Sequence, residues 1–259
     1  MTDLSEYLAP LGLPDWRYLA ETGSTNDLAL TWAQEDAADG SLVLADLQTA
    51  GRGRADRRWV TTPGSALAMS LVLRPKGAEL DCIPRFTALA ALGLVDALAK
   101  KGLAAEVKWP NDVLLADRKV AGVLVEAFWQ EERPEALIVG MGVNVSRGAL
   151  PPAEELRYPA TTIEDELGEF VDRWEILAGI LHSILTYRTI LTTDAFMAAW
   201  NAKLAFKGEQ VAFRFANGQV KLARVLAVQP DGRLALQVEG QAEPFLAAAG
   251  EIEMAGRGG

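Results

Sequence analysis

Gln48-Thr49-Ala50-Gly51-Arg52-Gly53-Arg54-Ala55-Asp56-Arg57-Arg58-Trp59 is the stretch from which the rest of this chain is best interpreted. It follows an apolar run, Leu42 to Asp46, that predicts a buried strand. Four arginines against one aspartate give residues 51–58 a net charge of +3, and the interleaved glycines let backbone N–H groups approach an anion closely. A solvated surface loop is the alternative for a basic run of this kind. The stretch is neither a P-loop nor a dinucleotide fingerprint.

Lys108-Trp109-Pro110-Asn111-Asp112, followed by Arg118-Lys119-Val120-Ala121-Gly122, is the second informative stretch. Asn and Asp after a strand and a Pro predict a turn that aims polar groups into a cleft, although a purely structural Asx turn explains the pentapeptide equally well. Lys119 is either a solvated charge or a cation at a site, where Gly122 leaves room for a ligand. Asn144 ends an apolar strand, where a backbone cap is the alternative to a ligand contact.

The charge balance limits the class of partner. The chain has 259 residues, with 25 Lys and Arg against 35 Asp and Glu, a formal net charge of −10 and a pI near 4.8. Nucleic-acid binding rests largely on the neutralisation of phosphates by Lys and Arg. The composition therefore argues against DNA or RNA as the main partner. Half of the residues are apolar, which is ordinary for a globular protein with a substantial core.

The sequence also indicates a compartment. Residues Met1 to Glu6 lack the basic and apolar regions of a signal peptide, and no run of 18 apolar residues predicts a membrane span. Cys82 is the single cysteine, which excludes an intramolecular disulfide and fits a reducing environment. We therefore expect a cytoplasmic protein without a membrane partner.

Hydrophobic periodicity predicts an α+β chain followed by an all-β module. The predicted strands cover 16–19, 42–46, 65–73, 106–115, 119–129 and 136–145, and the predicted helices cover 24–36, 83–101, 170–191 and 194–204. After Lys207-Gly208, short predicted strands at 210–215, 220–229, 233–238 and 243–247 are separated by turn signals such as Asn217-Gly218. We therefore divide the chain into domains 1–206 and 207–259, the second being a small β barrel of the SH3 type.

In order and spacing, these motifs resemble the catalytic domain of bacterial biotin protein ligases. The resemblance covers about residues 16–146, and the combination of segments is highly specific. The matching segments are Ser24-Thr25-Asn26, Gln48 to Arg54, Trp59, Pro63-Gly64, Ser70-Leu71, Arg74-Pro75, Lys108 to Asp112, Lys119 to Gly122, Glu126 and Gly140 to Asn144. The tail from Gly208 to Met254, with Gly250-Glu251-Ile252, resembles the C-terminal β barrel of the family. The resemblance implies a mixed sheet with helices packed on it.

The resemblance also implies which residues hold which substrate. Biotin would be bound by Ser24, Thr25, Gln48, Gly51, Arg52, Lys119 and Gly122. The nucleotide would be bound by Arg54, Arg57, Trp59, Asn111 and Asn144. Lys119 and Arg54 would be the catalytic cations, with Lys119 holding the biotin carboxylate and the α-phosphate. Trp59 would offer an apolar face to adenine.

The implied reaction suits these residue types. The biotin carboxylate attacks the α-phosphorus of ATP, giving biotinyl-5′-AMP and pyrophosphate, and an acceptor lysine amine then displaces AMP. Cationic side chains and Mg²⁺ stabilise the charge on the phosphoryl oxygens, so the protein needs no nucleophile of its own. The sequence does not specify the Mg²⁺ ligands, and we assign no chemical role to Cys82 or His182. The implied partner is a biotin carboxyl carrier domain, and we expect a monomer or weak homodimer that does not bind DNA.

Two features separate this chain from related patterns. Asp56 stands where the family commonly has Gly, which lowers the positive potential of the loop, so we expect weaker retention of the adenylate. The resemblance begins at about Trp16 and leaves no room for an N-terminal DNA-binding domain, so we expect a monofunctional ligase and disfavour a biotin-sensing repressor. The main alternative is a lipoate or octanoate ligase or transferase. Those proteins typically place a His near the Gly-rich loop, whereas the only His here is His182.

Overall fold

Two β-sheets and the helices around them make up the part of the chain that the computed structural model describes, residues 3–54, 57–60, 62–152, 154, 156 and 158–253. The helices are α1 (Leu4–Leu8), α2 (Thr25–Gln34), α3 (Arg85–Ala99), α4 (Ile163–Leu167), α5 (Arg173–Arg188) and α6 (Asp194–Ala202). The strands are β1 (Trp16–Thr22), β2 (Leu42–Gln48), β3 (Ala66–Leu73), β4 (Ala105–Lys108), β5 (Asp112–Leu115), β6 (Arg118–Gln130), β7 (Arg133–Asn144), β8 (Gln210–Phe215), β9 (Val220–Val228), β10 (Leu234–Val238), β11 (Phe245–Ala247) and β12 (Gly250–Glu253).

The larger sheet has seven strands in the order β1-β2-β3-β7-β6-β5-β4. Strands β1 and β2 are parallel, with helix α2 as the connection between them, and every other pair is antiparallel. The predicted mixed-sheet α+β architecture is therefore confirmed. Strand β3 is buried along its whole length, which matches a continuous apolar run between two covered faces.

Because side chains alternate along each strand, the two faces of the larger sheet contribute to two separate hydrophobic cores. One face packs against α3 and α5, with Leu44, Val139 and Phe86 in the principal core. The other face packs against α2, with Val43 and Ile138 in a smaller core. Because residues i and i+2 of a strand share a face, β7 residues with even numbers lie on the α2 side.

Helix α2 covers only part of the face of the larger sheet on which it packs. Ser24 stands at the N-cap position with extended backbone angles, but its side chain makes no capping hydrogen bond. Ser24, Thr25 and Asn26 are all buried although they are polar, because they face into a cavity between this helix end and the sheet. Ser24 therefore occupies the N-cap position while its hydroxyl stays available to the cavity.

The smaller sheet is antiparallel, with five strands in the order β11-β10-β9-β8-β12, as expected of a small SH3-like β domain. Its turn at residues 230–232 is held against the larger unit. The Trp109 indole Nε1 donates to the Gly232 carbonyl at 3.0 Å, and the buried Arg85 donates to the Pro230 carbonyl at 3.1 Å. The Arg85 guanidinium also donates to the Leu191 carbonyl at 2.8 Å.

Two predicted elements are wrong in extent. A single strand over 106–115 is in fact two strands, β4 and β5, which pair with each other around the turn at Trp109-Pro110-Asn111. The Trp109–Pro110 peptide bond in this turn is cis. The helix predicted over 170–191 begins only at Arg173, because Asp172 caps it by accepting from the Trp174 N–H, and Phe170 is largely exposed. The division into domains 1–206 and 207–259 stays a prediction.

Candidate functional site

A row of paired residues crosses six strands of the larger sheet, and four of its members, Gly142, Gly122, Asp112 and Lys108, line the cavity. In register order it runs Ala45, Ala68, Gly142, Gly122, Asp112 and Lys108. Directly paired residues of neighbouring antiparallel strands project from the same face. We call this set the floor row. The two glycines leave a hollow in the middle of the row, and Asp112 and Lys108 stand at its far end.

One end of the cavity carries neutral hydrogen-bonding groups. The Gln48 side-chain oxygen accepts from the Thr25 backbone N–H at 2.8 Å and from the Thr25 hydroxyl at 3.0 Å. The Ser70 hydroxyl lies 2.8 Å from the Thr25 hydroxyl and 2.6 Å from the Asn26 side-chain oxygen. Hydroxyl and amide groups of this kind recognise a neutral polar ligand by matched donors and acceptors.

The opposite end is cationic. Lys119 Nζ lies 2.7 Å from Asp112 Oδ1, and Lys108 Nζ lies 3.9 Å from the other oxygen of the same carboxylate. Arg54 donates to the Asn111 side-chain oxygen at 3.1 Å. The cavity, about 350 Å³ in volume, spans both ends, so an elongated ligand with a polar head and an anionic tail fits its polarity.

The basic loop folds back on itself above the floor row. The Trp59 N–H donates to the Gly51 carbonyl at 2.9 Å, and the Gly53 N–H donates to the Arg57 carbonyl at 2.7 Å. A Cβ at Gly51 would overlap the Trp59 carbonyl, so glycine is required at this position. The glycines of the loop therefore permit its closure as well as the approach of an anion.

Trp59 projects from this loop onto the glycine floor. A Cβ at Gly142 would overlap its indole ring, and one at Gly122 would lie 3.5 Å from it. Lys119 Nζ lies 5.8 Å from the centre of the same ring. The buried indole N–H has no hydrogen-bond partner among the described residues. Trp59 thus lies between the polar end and the cationic end.

Burial and neighbouring charges tune the cationic end. Burial lowers the pKa of the Lys108 ammonium, and the Asp112 carboxylate opposes this effect. Burial likewise lowers the pKa of the Arg54 guanidinium. Hydrogen bonds to the Glu251 carboxylate raise the pKa of Arg57, whose nitrogens lie 3.1 and 2.8 Å from the two carboxylate oxygens. An incoming anion would favour the charged form of each cation.

Most of the predicted site residues line this one cavity. They are Ser24, Thr25, Gln48, Arg52, Arg54, Arg57, Trp59, Asn111, Lys119 and Gly122. Gly51 lines an adjoining open groove, where Arg52 also pairs with Asp27 at 2.6 Å and Glu126 at 2.7 Å. Asn144 is buried outside the cavity and donates to the Thr161 carbonyl at 3.2 Å. Asp56 lies outside the described residues, and the roles assigned to all these residues remain predictions.

Sequence reasoning missed several cavity residues. Gly142 lies two residues before Asn144 and faces the cavity because of strand alternation, a signal that the sequence contained. Lys108 belongs to a motif that was recognised, but its burial follows only from the pairing of β4 with β5. Arg214, Phe215, Gly250 and Glu251 come from the smaller sheet, and no local pattern predicts their approach.

The described residues were also compared with the requirements of a metal site and of a membrane-spanning helix. Among the described residues, no three His, Cys, Asp or Glu side chains stand close enough together to hold a metal ion. None of the helices in the described part of the chain is both long enough and apolar enough to cross a bilayer.

Known proteins are similar to this chain in both sequence and fold. The family model described as Biotin/lipoate A/B protein ligase matches residues 18–144. A biotin--[acetyl-CoA-carboxylase] ligase of Paracoccus denitrificans is 39% identical over 206 residues, covering 76% of this chain and 83% of its own length. A bifunctional ligase/repressor BirA of Bacillus spizizenii is 34% identical over 224 residues, covering 83% of this chain and 67% of its own length.

A solved structure agrees with these relatives. The biotin protein ligase from Aquifex aeolicus in complex with biotin and ATP superposes with a TM-score of 0.78 at 27% identity, covering 93% of this chain and 98% of that one. The fold and cavity define a class of protein that binds a small elongated acid beside the phosphates of a nucleotide. With the relatives above, the chain belongs to the biotin/lipoate A/B protein ligase family, among the biotin protein ligases.

Proposed function

We propose that this chain activates biotin with ATP as biotinyl-5′-AMP and transfers the biotinyl group to a lysine of a biotin carboxyl carrier domain. The observation that carries the proposal is the polarity of one cavity. A neutral hydrogen-bonding end and a cationic end are joined by the paired residues Gly142 and Gly122, which bring no side chains into the cavity. Two relatives support the same activity: one is a biotin--[acetyl-CoA-carboxylase] ligase, and the other is a biotin protein ligase whose structure contains biotin and ATP.

Biotin fits this polarity from end to end. Its neutral ureido ring matches the amide and hydroxyl groups of Gln48, Thr25 and Ser24. Its apolar tetrahydrothiophene ring matches Gly142 and Gly122 beneath Trp59, and its side chain directs the carboxylate towards Lys119. The carboxylate oxygen forms a bond to the α-phosphorus, the bond from that phosphorus to the bridging oxygen breaks, and pyrophosphate leaves with the electron pair.

Lys119 and Arg54 suit the charge that develops at the α-phosphate. A fixed cation in a partly buried site stabilises the phosphoryl oxygens more than it would in water. Asp112 orients Lys119 at 2.7 Å, so the ammonium is positioned before the substrates meet. Mg²⁺ would enter with the phosphates of ATP, since it retains water and binds through few protein ligands. Asp112 is the carboxylate of the floor row that could face it.

The second step requires a macromolecular partner. The acceptor amine attacks the acyl carbon of the adenylate, so the cavity must open to a lysine on another protein. The groove beside Gly51 and Arg52 adjoins the cavity and is open to solvent. We infer that the acceptor is a biotin carboxyl carrier domain and that the reaction takes place in the cytoplasm. We also infer that the ligase is a monomer or weak homodimer and does not bind DNA.

Biotin-dependent exchange of labelled pyrophosphate into ATP is the direct test of adenylation. We expect exchange with biotin, and we expect Lys119→Ala to lower its rate by about 100-fold or more, because one charge-stabilising group at a reacting centre contributes on that order. Lipoate and octanoate should support no exchange.

Two controls make this result specific. Lys221→Ala removes an exposed cation on β9, away from the cavity, and should leave exchange unchanged. Exchange with lipoate or octanoate instead of biotin would be consistent with the fold but would show that biotin is not the substrate. Biotin binding without any exchange would leave a binding protein and sink the proposed activity.

A further inference from the structure

Asn26 and Glu126 belong to the segments that resemble the ligase family, yet the proposed reaction gives neither of them a role. Asn26 lies in the first turn of α2, is 5% exposed and lines the cavity beside Thr25. Glu126 lies on β6, where its carboxylate pairs with Arg52 at 2.7 Å. A buried side-chain amide needs partners for both its nitrogen and its oxygen, and those partners fix the direction in which it faces.

A second row of paired residues forms the seat of Asn26. Ser70, Gly140 and Leu124 are paired across β3, β7 and β6. They lie two residues along each strand from the floor row, so they project from the same face of the sheet. A Cβ at Gly140 would overlap the Asn26 side-chain oxygen, so the missing side chain admits the amide. The Asn26 amide is therefore held against the sheet beside the neutral end of the cavity.

The Glu126 carboxylate decides the orientation of this amide. Asn26 Nδ2 lies 2.7 Å from Glu126 Oε2, and an ionised carboxylate can only accept a hydrogen bond. The amide nitrogen must therefore face Glu126. The amide oxygen in turn lies 2.6 Å from the Ser70 hydroxyl, and this oxygen can also only accept. The single hydrogen of the Ser70 hydroxyl is thereby committed to Asn26.

The same constraint reaches the Thr25 hydroxyl at the surface of the cavity. Its oxygen lies 2.8 Å from the Ser70 oxygen and 3.0 Å from the Gln48 side-chain oxygen. Neither of these two oxygens has a hydrogen to give to Thr25, so the Thr25 hydrogen must serve these contacts. Only the lone pairs of this hydroxyl then remain for a ligand. The ureido group of biotin carries two N–H donors, which match an acceptor at this place.

We propose that Glu126 is a positioning residue, which acts through Asn26 and Ser70 to hold the Thr25 hydroxyl as an acceptor for a ureido N–H of biotin. This assignment rests on the proposed function and adds the residue that sets its selectivity for a donor. Without an ionised side chain at position 126, the Asn26 amide can turn over and Ser70 can donate to Thr25. The Thr25 hydrogen is then free to point at the ligand, so the hydroxyl no longer discriminates between a donor and an acceptor.

The two cyclic carbamate analogues of biotin, each with one ureido N–H replaced by an oxygen atom, test this role by calorimetric titration. In wild type, the weaker-binding analogue should have a Kd at least about 100-fold above that of biotin, because its ring oxygen faces the lone pairs of Thr25. In Glu126→Gln and in Ser70→Ala, this ratio should fall to about tenfold or less. Biotin itself should bind about 3- to 10-fold more weakly, the range for one neutral hydrogen bond.

The double variant separates a chain of hydrogen bonds from two independent effects. Glu126 and Ser70 are linked through Asn26, so Glu126→Gln combined with Ser70→Ala should give the same ratio as either single variant. Asp27→Asn is the matched control, because Asp27 also pairs with Arg52, at 2.6 Å. It should keep the wild-type ratio, since it weakens the pairing of Arg52 and leaves the Glu126 carboxylate in place.

Three outcomes would overturn the assignment. A wild-type ratio in a folded Glu126→Gln protein would show that Glu126 only supports Arg52 or the fold. Changes that multiply in the double variant would show that Glu126 and Ser70 act separately. An equal fall of the ratio in Asp27→Asn would assign the effect to the pairing of Arg52.

Neutron diffraction from crystals of the deuterated wild-type protein tests the hydrogen positions without any variant or ligand. The amide deuterons of Asn26 should point at Glu126, and the Ser70 deuteron should point at the Asn26 oxygen. A Ser70 deuteron directed at Thr25 would refute the proposal. If wild type binds no biotin, the proposed function fails, whereas the deuteron positions still decide whether Glu126 orients Asn26 and Ser70.

Discussion

At the scale of single residues, the absence of side chains shapes the cavity as much as their presence does. Gly122 and Gly142 are partners across β6 and β7, and the Trp59 ring rests on them. Any larger residue at either position would fill the space between the neutral and cationic ends. Strand glycines often mark such a close approach, and here two of them are adjacent in the sheet.

Gly142→Ala tests the need for this hollow. The added Cβ overlaps the Trp59 indole, so the ring must move and the loop that carries it must follow. Overpacking of this kind costs about 1–3 kcal/mol of stability, and biotin affinity should fall by at least about tenfold. Urea unfolding and calorimetric titration with biotin measure the two effects.

Gly148→Ala is the matched control, because its Cβ would meet Ser65 at an ordinary contact distance of 3.7 Å. Combining Gly142→Ala with Trp59→Leu should restore part of the lost stability. Full biotin affinity in Gly142→Ala alone would show that Trp59 moves freely and that the glycine floor has no role in recognition.

At the scale of elements, a half-buried arginine fixes the end of α5 to the chain segments next to the larger sheet. Arg188 contacts both oxygens of Asp39, at 2.8 and 2.9 Å, and both oxygens of Glu79, at 2.8 and 3.0 Å. It also donates to the Arg74 carbonyl at 3.1 Å. The fork of one guanidinium thus joins three chain segments whose carboxylates would otherwise repel each other.

Arg188→Met should lower the free energy of unfolding by about 3 kcal/mol at neutral pH, because both carboxylates lose their shared counterion. Burial by itself raises the pKa of Glu79, but hydrogen bonds from Arg188 outweigh it, so its folded pKa lies below the usual 4.5. This contribution is complete above about pH 4.5 and is lost as the pH falls through the lower folded value.

Denaturation at pH 7, 5 and 3 tests the sign of this dependence. The difference between wild type and Arg188→Met should shrink as the pH falls from 5 to 3. Arg147→Met removes an exposed pair with Asp165 and should cost less than about 1 kcal/mol at every pH. A difference that stays constant with pH would mean that Glu79 takes no part in the coupling.

At the scale of the whole molecule, the cavity depends on the attachment of the smaller sheet. Glu251 on β12 holds Arg57 of the basic loop, and Phe215 on β8 lines the same cavity. That sheet is held through the turn at 230–232, where Arg85 and Trp109 donate to backbone carbonyls. The cationic end is therefore assembled from two sheets, whereas the neutral end belongs to the larger one.

Arg85→Met should loosen this attachment from a position outside the cavity. The Pro230 and Leu191 carbonyls lose a charged donor, at a cost of about 2–4 kcal/mol. We expect faster amide hydrogen exchange in residues 210–253 and a rise of roughly tenfold in the KM for ATP, with biotin affinity nearly unchanged. Mass-resolved exchange and steady-state kinetics measure these effects.

Arg224→Met, which removes a donor to the Gly208 carbonyl within the smaller unit, is the control and should leave the KM for ATP unchanged. Equal losses of biotin and ATP affinity in Arg85→Met would contradict the assembly of the two ends from different sheets.

The sequence by itself determined the elements and the chemistry of the site. Periodicity of apolar residues set the main strands and helices, because burial of one face acts locally along each element. The basic Gly-rich loop and the Lys108 to Asp112 motif marked the anionic-ligand site, since residue type and conformational freedom are properties of the chain itself. Their order and spacing were sufficient to indicate the family.

Only the tertiary structure decided which side chains share the cavity. Cross-strand pairing placed Gly142, Gly122, Asp112 and Lys108 in one row, although they are far apart in sequence. The same packing turned Asn144 towards Thr161 and brought Glu251 to Arg57. Register and domain attachment are set by the burial of whole faces and by long-range hydrogen bonds, which no local window of sequence contains.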